Sequence, residues 1–184
     1  MSADIKTVET GAEAEGRPCQ VSRRRFLKAA GVGGAGMVLL AVPGCGSMWA
    51  RTTPLPRQSV GKLADLKVDQ PKMITFPDRA SMCMIVKLGV PAGGGVGPDG
   101  DVVAYSLACS HMGMSLIGTY NAKHKGIGPC PSHLTRFDLT RYGMVVSGHA
   151  TESLPQVILE VEDNGDIYAT GMRGLVYGRT SNAG

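Results

Sequence analysis

The sequence predicts an all-β fold, a small antiparallel β sandwich or incomplete barrel, over the part of the chain that follows its N-terminal leader. Three observations predict it. Short apolar runs of strand length alternate with turn residues from residue 72 onward. No long segment after residue 45 keeps the 3.6-residue apolar period of a surface helix. Asp163-Asn164-Gly165-Asp166 places Asn-Gly between two apolar runs, a strong signal for a two-residue hairpin.

Residues 1–45 are set apart from the fold. Ser22-Arg23-Arg24-Arg25-Phe26-Leu27-Lys28 has the form of a twin-arginine export motif. The Gly/Ala-rich stretch from Ala29 to about Val42 is only weakly apolar and too short for a confident membrane span. It reads as the central region of a signal peptide, and the expected destination is the periplasm. Three fates are open at its end. Val42-Pro43-Gly44-Cys45 has a faint lipobox look, which would put a lipid on Cys45. Ordinary signal peptidase cleavage is the second fate, and retention as a membrane anchor is the third. Residues 46–71 are polar and dotted with proline, as in Thr53-Pro54-Leu55-Pro56, and read as a linker and lead-in.

A domain is expected over 72–184. Its strands are predicted at 72–77, 82–90, 101–108, 143–148, 156–162, 166–171 and 174–178. Pro91 to Gly100 holds five Gly and two Pro and reads as a loop between strands. There is no internal repeat and no low-complexity tract.

Charge excludes one class of function. The chain carries 19 basic and 15 acidic residues, and the basic ones beyond the leader are scattered. Aromatics make up 5% of residues, so neither a phosphate-binding face nor a base-stacking platform is expected, and nucleic acid is excluded as a partner. Of five Cys, Cys19 and Cys45 fall in the leader. Cys83 lies in the apolar run Met82-Cys83-Met84-Ile85-Val86 and reads as a buried free thiol.

The remaining two Cys carry the chemistry. Cys109-Ser110-His111 and Cys130-Pro131-Ser132-His133 form a Cys-x-His and Cys-x-x-His pair with eighteen residues between the boxes. Each box supplies one thiolate and one imidazole. That is the ligand set of a Rieske [2Fe–2S] cluster, in which two Cys hold one iron and two His the other. Zinc also takes Cys₂His₂ sets, but zinc fingers pair Cys with Cys and His with His. The cluster is the reading adopted and zinc is the alternative; an EPR spectrum after dithionite reduction separates them, because zinc is silent. Gly113 and Pro131 suit tight loops around such a group. Residues 109–142 are then a cluster-binding lobe inserted into the β scaffold, with the His ligands at its exposed tip and the Cys ligands deeper. Export fits as well, since the twin-arginine route carries folded proteins.

The chain resembles the small, Rieske subunit of arsenite oxidase, a periplasmic molybdenum enzyme. The resemblance covers the leader and nearly all of the remainder. It rests on Val86-Lys87-Leu88-Gly89, Gly95-Val96-Gly97-Pro98, Val103-Ala104-Tyr105-Ser106, Cys109-Ser110-His111-Met112-Gly113 and Cys130-Pro131-Ser132-His133. Ala150-Thr151-Glu152-Ser153-Leu154-Pro155 and Gly174-Leu175-Val176-Tyr177-Gly178-Arg179 extend it. It implies a Rieske-type fold, one [2Fe–2S] cluster and no substrate-converting site in this chain. The implied role is to relay electrons between a large molybdopterin subunit and a cytochrome c or cupredoxin. Iodate reductase is similar in both subunits and runs the electrons the other way. The Rieske subunit of a quinol–cytochrome c oxidoreductase is a more distant alternative. That class keeps a longer membrane helix, a disulfide and a tyrosine near the cluster, which this chain lacks. The chain is too short for the catalytic domain of a Rieske oxygenase.

Two departures from the wider pattern are informative. Many Rieske proteins clamp the cluster loops with a disulfide at positions that here are Met114 and Ser132, so that bridge cannot form. Quinol-oxidising relatives place hydroxyls near the cluster at positions that here are Thr135 and Phe137. Thr135 retains a hydroxyl and Phe137 does not. Elsewhere, His124 reads as a solvated loop residue, and His149 as structural, with packing near the cluster lobe or contact with a large subunit as alternatives. Met112 and Met114 read as apolar cover for the cluster or for a partner surface, and Arg136 and Arg141 as a solvated face that could alternatively attract an acidic carrier. The resemblance predicts a potential below that of the quinol-oxidising class, within the span of about −150 to +300 mV for Rieske centres. A redox titration should therefore find Phe137→Tyr above wild type. An unmoved potential would remove Phe137 from the surroundings that tune the cluster.

Overall fold

The computed structural model describes residues 54–183. Ten strands follow one another: β1 Gln58–Lys62, β2 Lys72–Thr75, β3 Met82–Lys87, β4 Val102–Ser106, β5 Tyr120–Asn121, β6 Gly126–Ile127, β7 Arg136–Asp138, β8 Met144–Ser147, β9 Gln156–Val161 and β10 Asp166–Arg173. Two short 3₁₀ turns, Leu63–Asp65 and Leu139–Arg141, complete the elements. The strands form a six-stranded sheet in the order β1-β10-β9-β4-β3-β2 and a four-stranded sheet in the order β5-β6-β7-β8. Every neighbouring pair is antiparallel.

The large sheet is buried on both faces at its centre, and period-two alternation explains how. Cys83 and Ile85 of β3, with Val102 and Ala104 of β4, point into a core shared with Phe76, Val157, Leu159, Ile167 and Ala169. Met84, Val86, Val103 and Tyr105 point to the opposite face, into a core shared with Cys109, Cys130, Leu116, Ile127, Phe137, Leu139 and Leu154. The first core is the inside of a curled sheet. Its edge strands approach each other, and the Gln58 side-chain amide donates to the Thr75 carbonyl at 2.9 Å. The sheet is thus a nearly closed antiparallel barrel. The second core joins that barrel to the lobe that carries both Cys-His boxes.

Six of the seven expected strand segments contain strands, each trimmed or shifted by a few residues. The seventh, 174–178, is not a strand. Gly174 takes φ 81°, and the Asn182 side chain occupies the backbone groups a sheet partner would need. Its Oδ1 accepts from the Val176 N–H at 3.0 Å and its Nδ2 donates to the Gly174 carbonyl at 2.7 Å. The expected linker 46–71 also differs within its described part: Gln58–Lys62 is an edge strand paired with β10. Only one face of β1 is covered, through Val60, so its sequence looks polar. The predicted hairpin forms with a longer loop, residues 162–165 rather than two residues. Gly165 donates to the Glu162 carbonyl at 2.8 Å and sits at φ 81°, the left-handed position that closes this four-residue loop. Within 109–142, β5, β6 and β7 escape the periodicity test because they hold only two or three residues each.

Several polar ties hold the lobe to the barrel. The Tyr105 hydroxyl, fully buried, donates to the Leu139 carbonyl at 3.0 Å. The Gly93 N–H of the 91–100 loop donates to the Thr140 carbonyl at 2.8 Å. Asp69 accepts from Lys125 at 2.7 Å and from the Tyr120 hydroxyl at 2.6 Å, and these bonds hold its carboxyl below the usual carboxylate range. The buried Asp101 carboxylate is satisfied by Lys87 at 3.1 Å and the Gly89 N–H at 3.1 Å. Cys83 is a free thiol with no exposed surface, and burial pushes it up to about 12.

Tyr105→Phe leaves the buried Leu139 carbonyl without its partner, which should cost about 1–3 kcal/mol of stability. Urea denaturation of the full chain measures this as a lowered midpoint at unchanged slope. An unchanged midpoint would show that this bond does not tie lobe to barrel.

Candidate metal centre

Two loops with one design carry the boxes. The first leaves β4, where the Leu107 N–H still donates to the Met82 carbonyl at 2.9 Å. It closes on itself through the Leu116 N–H to the Leu107 carbonyl at 2.8 Å. At its tip the Cys109 carbonyl accepts from the Gly113 N–H at 2.7 Å, and the Cys109 N–H donates to the Met114 carbonyl at 2.9 Å. The second loop repeats this pattern residue for residue. The Cys130 carbonyl accepts from the Leu134 N–H at 2.9 Å, and the Cys130 N–H donates to the Thr135 carbonyl at 2.8 Å. In each loop the residue four after Cys is left-handed: Gly113 at φ 71° and Leu134 at φ 59°. Gly113 has a second reason to lack a side chain, since a Cβ there would lie 2.8 Å from the Tyr177 ring.

The loops bring the four predicted donors together. Cys109 and Cys130 are each 1% exposed and lie in one buried core, on the floor of the site. Burial pushes the Cys109 thiol up; the backbone N–H groups of His111 and Met112, which bond to its sulfur, act in the opposite direction. Above them, His111 Nδ1 and His133 Nδ1 lie 3.2 Å apart, with ring centroids 4.7 Å apart and planes at 83°. His133 is exposed and His111 partly so. Two soft sulfurs sit on a dry floor and two imidazole nitrogens face one point at the rim. No three donors among the described residues gather around one ion-sized point. The donor set therefore fits a group with a sulfur-bound side and an imidazole-bound side better than a single tetrahedral ion.

The other singled-out residues fall around this centre. Thr135 is completely buried, and its Oγ1 accepts from the N–H groups of His149 at 3.1 Å and Ala150 at 3.4 Å. Phe137 is 1% exposed and packs in the core shared with both Cys. Met114 and Ser132 are exposed, and Cys83, Cys109 and Cys130 are all free thiols. Met112 is 57% exposed and Met114 43% exposed, so neither is covered by the described residues. His124 and Arg136 are exposed beside an open cavity of about 470 Å³ on the lobe, and Arg141 lies 3.9 Å from Asp138.

Two further residues stand near the donors. His149, for which the sequence favours a structural role over packing near the lobe, is at the tip: its ring centroid is 5.8 Å from that of His111 and 5.9 Å from that of His133. Ser110, inside the first box, donates its hydroxyl to the Glu152 carbonyl at 2.7 Å. Nothing in the spacing of the sequence marks either, because the segment around residue 150 reaches the boxes only through the fold.

The chain is similar to known proteins along most of its length. The model of the Rieske [2Fe-2S] domain matches residues 57–171, and that of the twin-arginine translocation pathway signal sequence matches residues 20–39. The chain is 52% identical over 168 residues to iodate reductase subunit IdrB of Denitromonas iodatirespirans, covering 90% of this chain and 88% of that protein. It is 50% identical over 167 residues to the IdrB subunit of Pseudomonas sp. (strain SCT), covering 90% and 86%. Among solved structures, the soluble domain of Rieske protein II (soxF) from Sulfolobus acidocaldarius is similar with a TM-score of 0.61 at 26% identity, over 68% of this chain and 82% of that one.

The matched left-handed positions should respond in opposite ways. Gly113→Ala meets both the backbone penalty and the Tyr177 ring and should cost about 1–3 kcal/mol. Leu134→Gly removes strain at an exposed site and should stay within about 1 kcal/mol of wild type. Thermal unfolding, read beside iron bound per chain, checks both. The reverse order would show that the two loops are not built alike.

Proposed function

Because this chain belongs to the Rieske [2Fe–2S] family, we propose that it is the electron-transfer subunit of a periplasmic oxidoreductase of the iodate reductase type. The observation that carries this is similarity to two iodate reductase subunits over nine-tenths of the chain, with the imidazole nitrogens of the two Cys-His boxes 3.2 Å apart in the same chain. The domain carries one Rieske cluster, and the twin-arginine signal directs it to the periplasm. No helix among the described residues is long and apolar enough to cross a membrane.

Cys109 and Cys130 would hold one iron of the cluster, and His111 and His133 the other. The bound cluster supplies one-electron transfer at a relatively high potential. The protein supplies the rest. The buried floor keeps water from the sulfurs, and the N–H groups of His111 and Met112 stabilise charge on Cys109 Sγ. The exposed imidazoles form the edge at which an electron enters or leaves. The barrel and its ties hold the two loops still, so little rearrangement accompanies a change of charge. Thr135 and Phe137 shape the surroundings of the site. The chain converts no substrate itself; a large molybdopterin subunit does, and a cytochrome c or cupredoxin exchanges electrons with the imidazole edge. Arsenite oxidase, which the sequence resembles as a family, is the competing assignment of the same architecture.

The test is co-expression with a large molybdopterin subunit of the iodate reductase type, followed by assays with iodate and with arsenite. Iodate turnover with reduced carrier and no arsenite oxidation is expected; the reverse result would assign the complex to the arsenite oxidase type. Cys109→Ser and His133→Ala should abolish the EPR signal of the dithionite-reduced chain while circular dichroism still reports the β fold. A retained signal in either variant would overturn that residue's assignment as a ligand.

A further inference from the structure

Basic side chains that are scattered along the sequence are gathered by the fold. Residues 109–142 hold four of them, Lys123, Lys125, Arg136 and Arg141, against one carboxylate, Asp138. The other described residues hold eight basic side chains against ten acidic ones. The lobe is thus a positive end on a slightly negative barrel. Two of its charges are already answered: Lys125 lies 2.7 Å from Asp69, and Arg141 lies 3.9 Å from Asp138. Lys123 and Arg136 are exposed and pair with no carboxylate among the described residues.

Arg136 and His124 line the open cavity of about 470 Å³ on the lobe. Its apolar lining includes Val146 of β8, which is 62% exposed, and Phe137, which packs in the core with Cys130. The cavity adjoins both stems of the second ligand loop. Gly128 and Pro129 line it just ahead of Cys130, and Arg136 follows Thr135, whose carbonyl accepts from the Cys130 N–H at 2.8 Å. The first ligand loop has the opposite character. No charged residue lies between Asp101 and Lys123, and Met112, Met114 and Ile117 are exposed there. One ligand loop is therefore flanked by uncharged, apolar surface and the other by a basic hollow. Lasting interfaces are the more apolar kind, whereas brief electron-transfer encounters are small and gain their rate from complementary charge.

Resting on the electron-transfer role proposed above, we propose that the basic cavity beside the second ligand loop is the docking face for a soluble electron carrier with an acidic surface. Lys123 and Arg136 steer the carrier, and the Arg136 guanidinium receives one of its carboxylates at the cavity. Docked there, the carrier lies against the loop that holds Cys130 and His133. One electron then passes between the cluster and the carrier's metal, and one is reduced as the other is oxidised.

The experiment uses the purified full chain with its cluster, reduced with dithionite and freed of the excess. Stopped-flow mixing with an oxidised acidic cupredoxin, and separately with an oxidised basic cytochrome c, gives second-order rate constants as salt is raised from about 0.02 M to about 0.5 M. The variants are Arg136→Gln, Lys123→Gln, Val146→Lys and Lys62→Gln. The last removes the same charge beside Asp166, at the end of the barrel away from both loops. With the acidic carrier, Arg136→Gln and Lys123→Gln should each slow exchange about threefold or more at low salt, and Val146→Lys should speed it by a similar factor. These differences should fall within about 1.5-fold at high salt, and Lys62→Gln should stay within about twofold of wild type throughout. The basic cytochrome should show the opposite signs. A gain in Val146→Lys cannot come from a damaged fold. An Arg136→Gln rate no lower than that of Lys62→Gln, a loss that persists at high salt, or a slower Val146→Lys would overturn the docking face. So would an Arg136→Gln chain that loses the co-expressed large subunit yet exchanges electrons with the carrier as wild type does, because the face would then seat that subunit. The two readings fail separately. A wild-type chain that holds its cluster but exchanges electrons with neither carrier fails the electron-transfer role and the docking face together. One that exchanges at a rate indifferent to Arg136 fails the docking face alone.

Discussion

The proposed cluster site needs two buried thiols and two surface imidazoles to face one small volume, yet they come from loops that exchange no backbone hydrogen bond among the described residues. The structure is organised around that constraint. Each loop first makes itself rigid, with the Cys carbonyl and N–H bonded to residues four and five further on. The loops are then referred to a common frame. Leu107 continues the β4 ladder, so the first loop inherits the position of the barrel. The second hangs from β6 and β7, whose Ile127 and Phe137 pack in the same core as Cys109 and Cys130.

Why the barrel serves as that frame follows from β3 and β4. Their alternating side chains are apolar on both faces, so one pair of strands belongs to two cores. A displacement of the lobe would have to disturb packing that also closes the barrel, and close-packed interiors resist such shifts. The Tyr105 hydroxyl adds direction to this contact, because a buried carbonyl at Leu139 has no water to turn to. Electron transfer favours such rigidity, since reorganisation of the surroundings opposes each change of charge.

How legible this was depended on sequence range. The ligand boxes are local, so Cys109, His111, Cys130 and His133 stood out by spacing alone. Strands that are long and buried, such as Met82–Lys87 and Val102–Ser106, were legible through their apolar runs. β1 was not, because its single covered face leaves a polar sequence, and its partner β10 is more than a hundred residues away. β5, β6 and β7 were too short to show a period. Residues 174–178 have the composition of a strand but end as turns, because Asn182 takes their backbone groups.

The sequence by itself determined the all-β class, the export leader and the choice of candidate donors, because each is written in residues that lie close together along the chain. Only the tertiary structure decided what surrounds the donors. It put His149 beside the two imidazoles, turned the Thr135 hydroxyl toward the backbone of the 148–153 segment, and gave Ser110 a partner at Glu152. Those contacts join residues fourteen to forty-two positions apart. Their geometry depends on where β8 and β9 deliver the chain, and no local preference encodes it.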